Sequence, residues 1–269
     1  MNKIKTVSYK QLGKNGRLGN CLFQISATLA YGMNHQRIVQ FPEWEYFKYF
    51  NIPFSTSDNT PADYVHKELG FHFNQVPVLD FNSVDLGNSY FQSEKYFKKF
   101  EGTVRSALEF TEDVKEKAQA IVHSPFQNQR SVAVHFRFGD YVGNSFYSQL
   151  WETDYYEKAL WHINRTMGPA EIPCKYYIFS DDTKRAIEVV SKFKNPPLFG
   201  DVTHVYGYPD IQDLCTMSQC DKIIMANSSF SWWGAYLGKK KQVIAPKEWF
   251  SESAGLNTKD LYCKEWEVI

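Results

Sequence analysis

The sequence predicts an α/β protein with parallel sheets, and two observations support this fold class. From Ser131 onward, short apolar runs of strand length alternate with segments whose apolar residues recur at helical spacing. Such alternation is typical of a parallel sheet covered by helices on both faces. The first part of the chain also begins with a strand, a helix and a strand that ends near Phe41, so we expect a second sheet there.

The predicted elements follow one another closely in both parts. Strands are predicted near 6–9 and 37–41, and then at 131–134, 175–179, 202–206, 222–226 and 242–245. Helices are predicted through residues 22–30 and at 111–122, 153–167, 183–193, 210–219 and 229–237. Pro125, Asn128 and Gln129 interrupt the chain after the helix at 111–122, which predicts two domains, 1–125 and 126–269.

Composition excludes several classes of function. The 269 residues include 30 basic and 30 acidic side chains, so the balanced charge argues against a nucleic-acid surface and offers no broad cationic patch for a membrane. No apolar run approaches the ~20 residues of a membrane-spanning helix, and no signal peptide is visible. The five cysteines show neither metal-ligand spacing nor a disulfide framework. We therefore expect a cytoplasmic protein.

Three polar side chains follow the strand predicted at 131–134. They are His135, Arg137 and Asp140. Ligands of open α/β sheets bind outside the carboxyl ends of the strands, which is where these side chains are expected to meet. Arginine offers a permanently charged, two-pronged donor for phosphate oxygens. The alternative is a purely structural ion pair between Arg137 and Asp140.

Two adjacent carboxylates, Asp181 and Asp182, follow the next strand and precede a helix. Acidic residues are favoured at a helix start whether or not they bind a ligand, so helix capping explains one of them. The pair would suit a base edge, a ribose or a metal. A metal site would need clustered His or Cys partners, and the sequence offers none here.

The segment from Asn227 to Ala235 joins a predicted strand to a predicted helix. Ser228 and Ser229 fall where an N-cap belongs, and Phe230 begins the apolar run of the helix. Free backbone N–H groups and hydroxyls at such a junction suit a phosphate, because the helix dipole adds partial positive charge. The alternative is that the serines merely cap a core helix.

A fourth loop, residues 13–20, opens the first helix and includes Gly16, Gly19 and Asn20. The loop lacks the Gly-Lys-[Ser/Thr] ending of a nucleoside-triphosphatase loop, and its spacing does not fit Gly-x-Gly-x-x-Gly. Its glycines therefore indicate either a ligand-binding turn of another kind or a tight turn without a ligand.

Taken together, these segments resemble family 11 of the glycosyltransferases, the α-1,2-fucosyltransferases. The shared motifs are His-x-Arg-x-Gly-Asp-Tyr at 135–141, Phe-Ser-Asp-Asp at 179–182 and Asn-Ser-Ser-Phe-Ser-Trp-Trp-Gly-Ala at 227–235. Further matches lie at 90–97, 213–220 and 246–250, so the resemblance spans nearly the whole chain. Two positions depart from the pattern. The loop Gly-Arg-Leu-Gly-Asn-Cys at 16–21 also resembles protein O-fucosyltransferases, and Phe138 stands where many members carry a second arginine.

The resemblance implies a GT-B-like fold of two Rossmann-like domains. Acceptor binding would lie mainly in the N-terminal domain and GDP-fucose binding mainly in the C-terminal domain. By the same resemblance the catalytic residues are Arg137, Asp140 and Asn20. The implied donor-binding residues are Gly16, Gly19, His135, Arg137, Asp181, Asp182, Ser228, Ser229 and Phe230, with His135 and either Asp181 or Asp182 on the guanosine.

The implied reaction is an inverting transfer of L-fucose from GDP-fucose to the 2-hydroxyl of a terminal galactose-type glycan. No metal and no cofactor beyond the donor substrate are expected, and a lipid-linked acceptor would allow peripheral membrane association. Asp140 and Glu94 are the candidates for the base. Two alternatives stay open, namely a fucosyltransferase with another acceptor, such as a protein hydroxyl, and a non-catalytic carbohydrate-binding protein.

Overall fold

A computed structural model describes residues 4–57, 60–122, 129–165, 174–193, 201–238 and 242–269. The chain forms two compact units. The first comprises residues up to Thr111 together with Leu256–Cys263, and the second comprises Glu112–Gly255 together with Lys264–Ile269. The predicted boundary at 125/126 falls within 123–128, outside the described residues. The helix at 112–122 belongs to the second unit.

The first unit contains a five-stranded parallel sheet. Its elements are β1 (Thr6–Ser8), α1 (Leu18–Asn34), β2 (Ile38–Phe41), β3 (Ser55–Thr56), β4 (Tyr64–Val65), β5 (Ser83–Asp85) and α2 (Glu101–Ala107). The strand order is β3-β2-β1-β5-β4. Strands β2 and β3 lie on one side of β1, and β5 and β4 lie on the other side. The strand order therefore reverses between β1 and β5. The α1 helix begins at that reversal.

Helix α1 is buried along most of its length, and its sequence explains how. The hydroxyls of Ser26 and Thr28 donate to the carbonyls of Leu22 and Gln24 at 2.7 Å, so these polar groups are satisfied within the helix. Gly32 lies against β2, where a Cβ would overlap the side chain of Val39. These features let α1 pack closely on the sheet.

The second unit contains a six-stranded parallel sheet. Its elements are α3 (Glu112–Val122), β6 (Ser131–Phe136), α4 (Tyr155–Arg165), β7 (Lys175–Ser180), α5 (Thr183–Lys192), β8 (Asp201–Val205), α6 (Asp210–Gln219), β9 (Lys222–Ile224), α7 (Ser229–Leu237), β10 (Gln242–Ala245) and β11 (Glu267–Val268). The order β11-β10-β9-β6-β7-β8 is that of a doubly wound nucleotide-binding sheet. The predicted α/β class with parallel sheets is thus confirmed.

The core of the second unit forms around β6, in which all six residues are buried. Val132, Val134 and Phe136 share one apolar cluster with Tyr156 and Leu160 of α4. The predicted helices at 183–193, 210–219 and 229–237 are confirmed to within one residue. The predicted strand at 222–226 ends earlier, at Ile224, and the helix predicted to reach 167 is described as far as Arg165.

The adjacent tryptophans of α7 belong to the core. Trp232 and Trp233 are fully buried. The ring of Trp232 packs against Tyr236 at 4.9 Å and against Trp266 at 5.2 Å. The two rings therefore anchor α7 inside the second unit. Among the described helices, none is long and apolar enough to cross a bilayer.

Candidate functional site

The topology of the second unit brings three loops to one edge of its sheet. Strands β7 and β9 flank β6 on either side, and all three run parallel. The strand order reverses between β6 and β9, and ligands of doubly wound sheets bind at the carboxyl edge at such a reversal. The loops that follow β6, β7 and β9 carry the residues selected from the sequence.

Arg137 is held at this edge by two carboxylates. Its Nη1 lies 2.6 Å from Asp181 Oδ2, and its Nη2 pairs with Asp140 Oδ1. The guanidinium also lies 5.4 Å from the ring centroid of Tyr141. The two carboxylates differ in exposure, since the Asp140 side chain is 54% exposed and the Asp181 side chain 24%. Asp181 is therefore the more buried of the two partners, and Asp140 is the one that solvent reaches more easily.

The two adjacent aspartates have different roles. Asp182 is the N-cap of α5, because its side chain accepts the Arg185 N–H at 3.1 Å, which confirms that one of the pair is a helix cap. Asp181 instead accepts the backbone N–H of Phe138 at 2.8 Å through Oδ1 and pairs with Arg137 through Oδ2. Both oxygens of Asp181 thus have partners within the protein. Its predicted contact with guanine remains a prediction.

Gly139 makes this arrangement possible. Its φ is +29°, a conformation that L side chains rarely adopt, and a Cβ there would overlap Asp181 Oδ2. Position 139 therefore requires glycine, because a larger residue there would keep Asp181 away from Arg137.

His135 lies near the end of β6 with 4% of its surface exposed. Its ring packs on Phe230 of α7 at 5.7 Å between centroids. Burial, with a smaller contribution from Arg137, lowers its pKa to about 3, so the imidazole is neutral at physiological pH. Within the described part of the chain, its Nδ1 has no hydrogen-bond partner. A buried polar atom left in this state is a natural contact for a ligand.

The start of α7 combines capping with a firmly held backbone. Ser228 is the N-cap, and its hydroxyl accepts the Phe230 N–H at 3.3 Å. Asn227 is buried and donates to the carbonyls of Ser148 and Trp249 at 2.9 and 2.8 Å. Ser228 therefore caps the helix, and its expected contact with the donor remains a prediction. Ser229 begins the helix, where backbone N–H groups point toward the carboxyl edge of the sheet.

Sequence reasoning did not select Asp213 as a site residue. In the part of the chain that the structure describes, its Oδ1 is buried without a hydrogen-bond partner, and burial raises its pKa to about 7. A Cβ on Gly234 of α7 would lie 3.0 Å from Met217 Cβ of α6. Asp213 and Phe230 each lie four residues, about one helical turn, before the two residues of this contact. Burial and helix packing, which the sequence did not reveal, mark this residue.

The remaining predicted residues lie in the first unit, at the start of α1. Gly16 has a φ of +96°, and a Cβ there would overlap the side chain of Asn20, so both the turn and the contact require glycine. Asn20 Oδ1 accepts Gln92 Nε2–H at 2.7 Å. Gly19 is buried in the first turn of the helix, whose N-cap residue, Arg17, makes no side-chain capping bond.

Gln92 follows a strained turn. Phe91 has a φ of +54°, an unfavourable conformation for a bulky residue, and its side chain is fully buried. Glu68 stabilises the turn, because its Oε2 accepts the N–H groups of Tyr90 and Phe91, each at 3.1 Å. Glu94, the second candidate for the base, is buried and pairs with Lys98 at 2.9 Å.

The predicted site residues thus form two groups, each described within its own unit. Eight lie at the carboxyl edge of the second unit, namely His135, Arg137, Asp140, Asp181, Asp182, Ser228, Ser229 and Phe230. Three lie at the start of α1 in the first unit, namely Gly16, Gly19 and Asn20. Among the described residues, no group of three or more His, Cys, Asp or Glu side chains could hold a metal ion.

Comparison with known proteins gives a match along most of the chain. The model of the family "Glycosyl transferase family 11" matches residues 9–269. An α-1,2-colitosyltransferase of Escherichia coli is 29% identical over 290 residues, covering 94% of this chain and 96% of that protein. The O-antigen biosynthesis glycosyltransferase WbnK of Escherichia coli is 35% identical over 145 residues, covering 52% of this chain and 45% of WbnK. The chain thus spans less than half the length of WbnK.

Solved structures share the fold at low sequence identity. The fucosyltransferase NodZ from Bradyrhizobium aligns with a TM-score of 0.58 and 12% identity, covering 88% of this chain and 94% of NodZ. FUT1 from Arabidopsis thaliana aligns with a TM-score of 0.54 and 9% identity, covering 89% of this chain and 70% of FUT1. These likenesses show the GT-B-like fold.

Proposed function

Since this chain belongs to glycosyl transferase family 11, as its motifs indicated, we propose that it transfers L-fucose from GDP-fucose to the 2-hydroxyl of a terminal galactose-type glycan, with inversion. The observation that carries this proposal is the placement of Arg137, held between Asp140 and Asp181 at the carboxyl edge of a doubly wound sheet. A fixed arginine at this edge suits the diphosphate that leaves during the transfer.

The exposure of Asp140 supports a specific role for this residue. We propose that a phosphate oxygen of the donor replaces Asp140 on Arg137, while Asp181 keeps the guanidinium in place. Loss of its cationic partner would make the Asp140 carboxylate a stronger base. It would accept the proton of the acceptor 2-hydroxyl as that oxygen bonds to the fucose anomeric carbon. The bond from that carbon to the diphosphate breaks on the opposite face, and its electron pair leaves with GDP.

For the nucleoside, the proposed contacts are His135, Phe230 and Asp213. Guanine presents N–H donors along one edge, which a carboxylate can accept, and the Oδ1 of Asp213 lacks a partner among the described residues. The imidazole of His135 offers a second polar contact beside the ring of Phe230. The sequence pointed instead to Asp181 or Asp182 for guanine, and Asp213 adds a third carboxylate to test.

The proposed reaction uses no metal. Arg137 and the backbone N–H groups at the start of α7 would carry the charge of the diphosphate. Asn20, Gly16 and Gly19 of the first unit are proposed to contact the donor as well, and the first unit is proposed to bind most of the acceptor.

A second candidate donor is favoured by one of the relatives. The Escherichia coli protein that aligns with 94% of this chain is named an α-1,2-colitosyltransferase, and colitose differs from fucose by lacking the 3-hydroxyl. A donor screen decides between the two. The protein is incubated with a galactoside and either GDP-fucose, GDP-colitose or GDP-mannose, and released GDP is measured against an Arg137→Ala control. We expect the highest kcat/KM with GDP-fucose. Preference for GDP-colitose would replace the proposed donor, and no acceptor-dependent release of GDP would contradict the proposal.

A further inference from the structure

Arg185 lies in the first turn of α5, and its guanidinium has no anionic partner among the described residues. Its guanidinium makes no hydrogen bond or ion pair with any residue in the described ranges, and it lies 5.6 Å from the ring centroid of Phe138. The other arginine at this edge, Arg137, contacts two carboxylates. Arg185 is therefore a guanidinium whose hydrogen-bonding capacity is not used by the part of the chain that the structure describes.

Helix stability does not explain a cation at this position. The N-terminus of a helix carries partial positive charge, so an arginine in the first turn is repelled by the helix dipole. The carboxylate of Asp182 accepts the backbone N–H of Arg185 at 3.1 Å and makes no ion pair with its guanidinium. An unfavourable position at a ligand-binding edge is expected where the side chain serves function.

The location of Phe138 connects Arg185 with the proposed phosphate site. Phe138 directly follows Arg137, and its backbone N–H is fixed by Asp181 at 2.8 Å. Its buried ring supports Arg185 from α5. Two guanidinium groups therefore lie at the turn after β6. Arg137 is part of the turn, and Arg185 lies over the ring of Phe138, the residue that follows Arg137.

The charges at this edge show why a second cation is needed. Arg137 contributes one positive charge, and Asp140 and Asp181 contribute two negative charges. A nucleoside diphosphate adds further negative charge, which the single charge of Arg137 and the partial positive charge at the start of α7 balance only in part. We infer that Arg185 is a second phosphate-binding cation, which contacts the diphosphate of the donor. This inference rests on the proposed function, since it takes the ligand to be a nucleoside diphosphate.

Four proteins test the inference, namely the wild type, Arg185→Ala, Arg185→Lys and the control Lys184→Ala. Lys184 is exposed and adjacent on α5, so its loss changes the net charge equally. Calorimetry measures the Kd of GDP, guanosine and inorganic pyrophosphate for each protein. We expect Arg185→Ala to weaken GDP and pyrophosphate binding about tenfold or more, the range for a lost hydrogen bond to a charged group. Guanosine binding should not change, Arg185→Lys should recover part of the loss, and Lys184→Ala should bind GDP nearly normally.

Melting temperature separates a binding role from a structural one. Removing a cation from the first turn of α5 should leave Tm unchanged or raise it slightly, whereas a structural role predicts a lower Tm. If the wild type binds GDP and Arg185→Ala binds it equally well, or if Lys184→Ala causes the same loss, the inference is wrong while the proposed function stands. If the wild type binds pyrophosphate but not GDP, the proposed function is contradicted. The Kd values of pyrophosphate for the four proteins then still test the role of Arg185. Binding of neither ligand contradicts both.

Discussion

Asp181 contacts both the backbone and a side chain of the loop that follows β6. Its Oδ1 accepts the Phe138 N–H at 2.8 Å, and its Oδ2 lies 2.6 Å from Arg137 Nη1. A single carboxylate at the end of β7 thereby sets the orientation of the arginine that follows β6. The other partner of this guanidinium, Asp140, has a side chain that is 54% exposed. The proposed binding of the donor phosphate depends on this difference in exposure.

The first prediction concerns Arg137→Lys. An ammonium keeps the charge but cannot contact Asp181 and a phosphate with the fixed fork of a guanidinium. We expect kcat to fall by about 10² or more, the magnitude seen when one preorganised donor is removed from a developing anion. Melting temperature and kcat for the variant and the wild type provide the check. Near-normal turnover in a folded variant would remove Arg137 from this role.

Asp181→Ala should reduce activity without abolishing nucleoside binding. Arg137 would lose the partner that fixes it, and misplacement of a catalytic group by about 1 Å can cost 10²-fold in rate. We therefore expect kcat with GDP-fucose to fall toward that of Arg137→Lys, with little change in the Kd of guanosine. If guanosine binding fails and kcat at saturating donor persists, Asp181 recognises the base instead.

Asp182→Ala is the matched control for that variant. Its carboxylate caps α5, so its loss should lower the free energy of unfolding by about 1 kcal/mol. Discrimination between GDP and ADP, and kcat, should stay close to those of the wild type. Thermal or urea unfolding with parallel nucleotide titrations measures both effects. A changed GDP-to-ADP ratio with normal stability would transfer guanine recognition to Asp182.

Much of the second unit could be predicted from the sequence because its elements are long and regular. The six buried residues of β6 and the apolar periodicity of α5, α6 and α7 give strong signals. The resemblance in the motifs identified the family correctly. Strands β3 and β4 contain two residues each, too few to show a period, and the sequence did not predict them.

Contacts between distant residues were not predictable in the same way. Asp181 and Arg137 are far apart in sequence, and only the adjacency of β6 and β7 brings them together. The sequence placed Asp181 and Asp182 side by side but could not tell which would cap α5. Asp213 was noted only as the start of a matching segment, and the burial of its carboxylate oxygen could not be predicted from the sequence.

The pH dependence of GDP binding tests the role of Asp213. Burial raises its pKa from the ordinary value of 3.8 to about 7, so the free protein carries this carboxyl largely protonated below pH 7. The ionised form accepts the N–H groups of guanine, so GDP affinity should rise with pH through about 7. Asp213→Asn should bind GDP more weakly and remove this rise. A pH profile of Kd that is identical for both proteins would exclude Asp213 from the base site.

The same carboxyl predicts a change in stability without ligand. Its pKa is higher in the folded than in the unfolded chain, so protonation favours the folded state. Stability attributable to Asp213 is therefore fully present below about pH 4 and is lost as the pH rises toward 7. Unfolding of the wild type and Asp213→Asn at pH 5 and pH 8 measures the difference. If the free energy of unfolding changes equally between pH 5 and pH 8 in the two proteins, the pKa of Asp213 is not raised by burial.

Gln92→Glu tests whether Asn20 needs a fixed amide orientation. Gln92 donates to Asn20 Oδ1, which leaves Nδ2 as the donor directed elsewhere. A glutamate carboxylate only accepts, so Asn20 would turn its Nδ2 toward position 92 and present its oxygen in exchange. We expect kcat to fall by about tenfold or more in Gln92→Glu. When Gln92→Glu is combined with Asn20→Ala, kcat should be no lower than in Asn20→Ala alone. Losses that multiply in the double variant would contradict action through Asn20.

The NMR spectrum of the product shows whether the protein makes an α-1,2-fucosyl linkage without a metal. The protein is incubated with GDP-fucose and a galactose-terminated oligosaccharide in EDTA, and the linkage and anomeric configuration are determined. We expect an α-linked fucose on O2 of galactose, formed at the same rate with and without EDTA and absent with Arg137→Ala. A β-linked product, a linkage to another hydroxyl or complete loss of transfer in EDTA would contradict the proposed function.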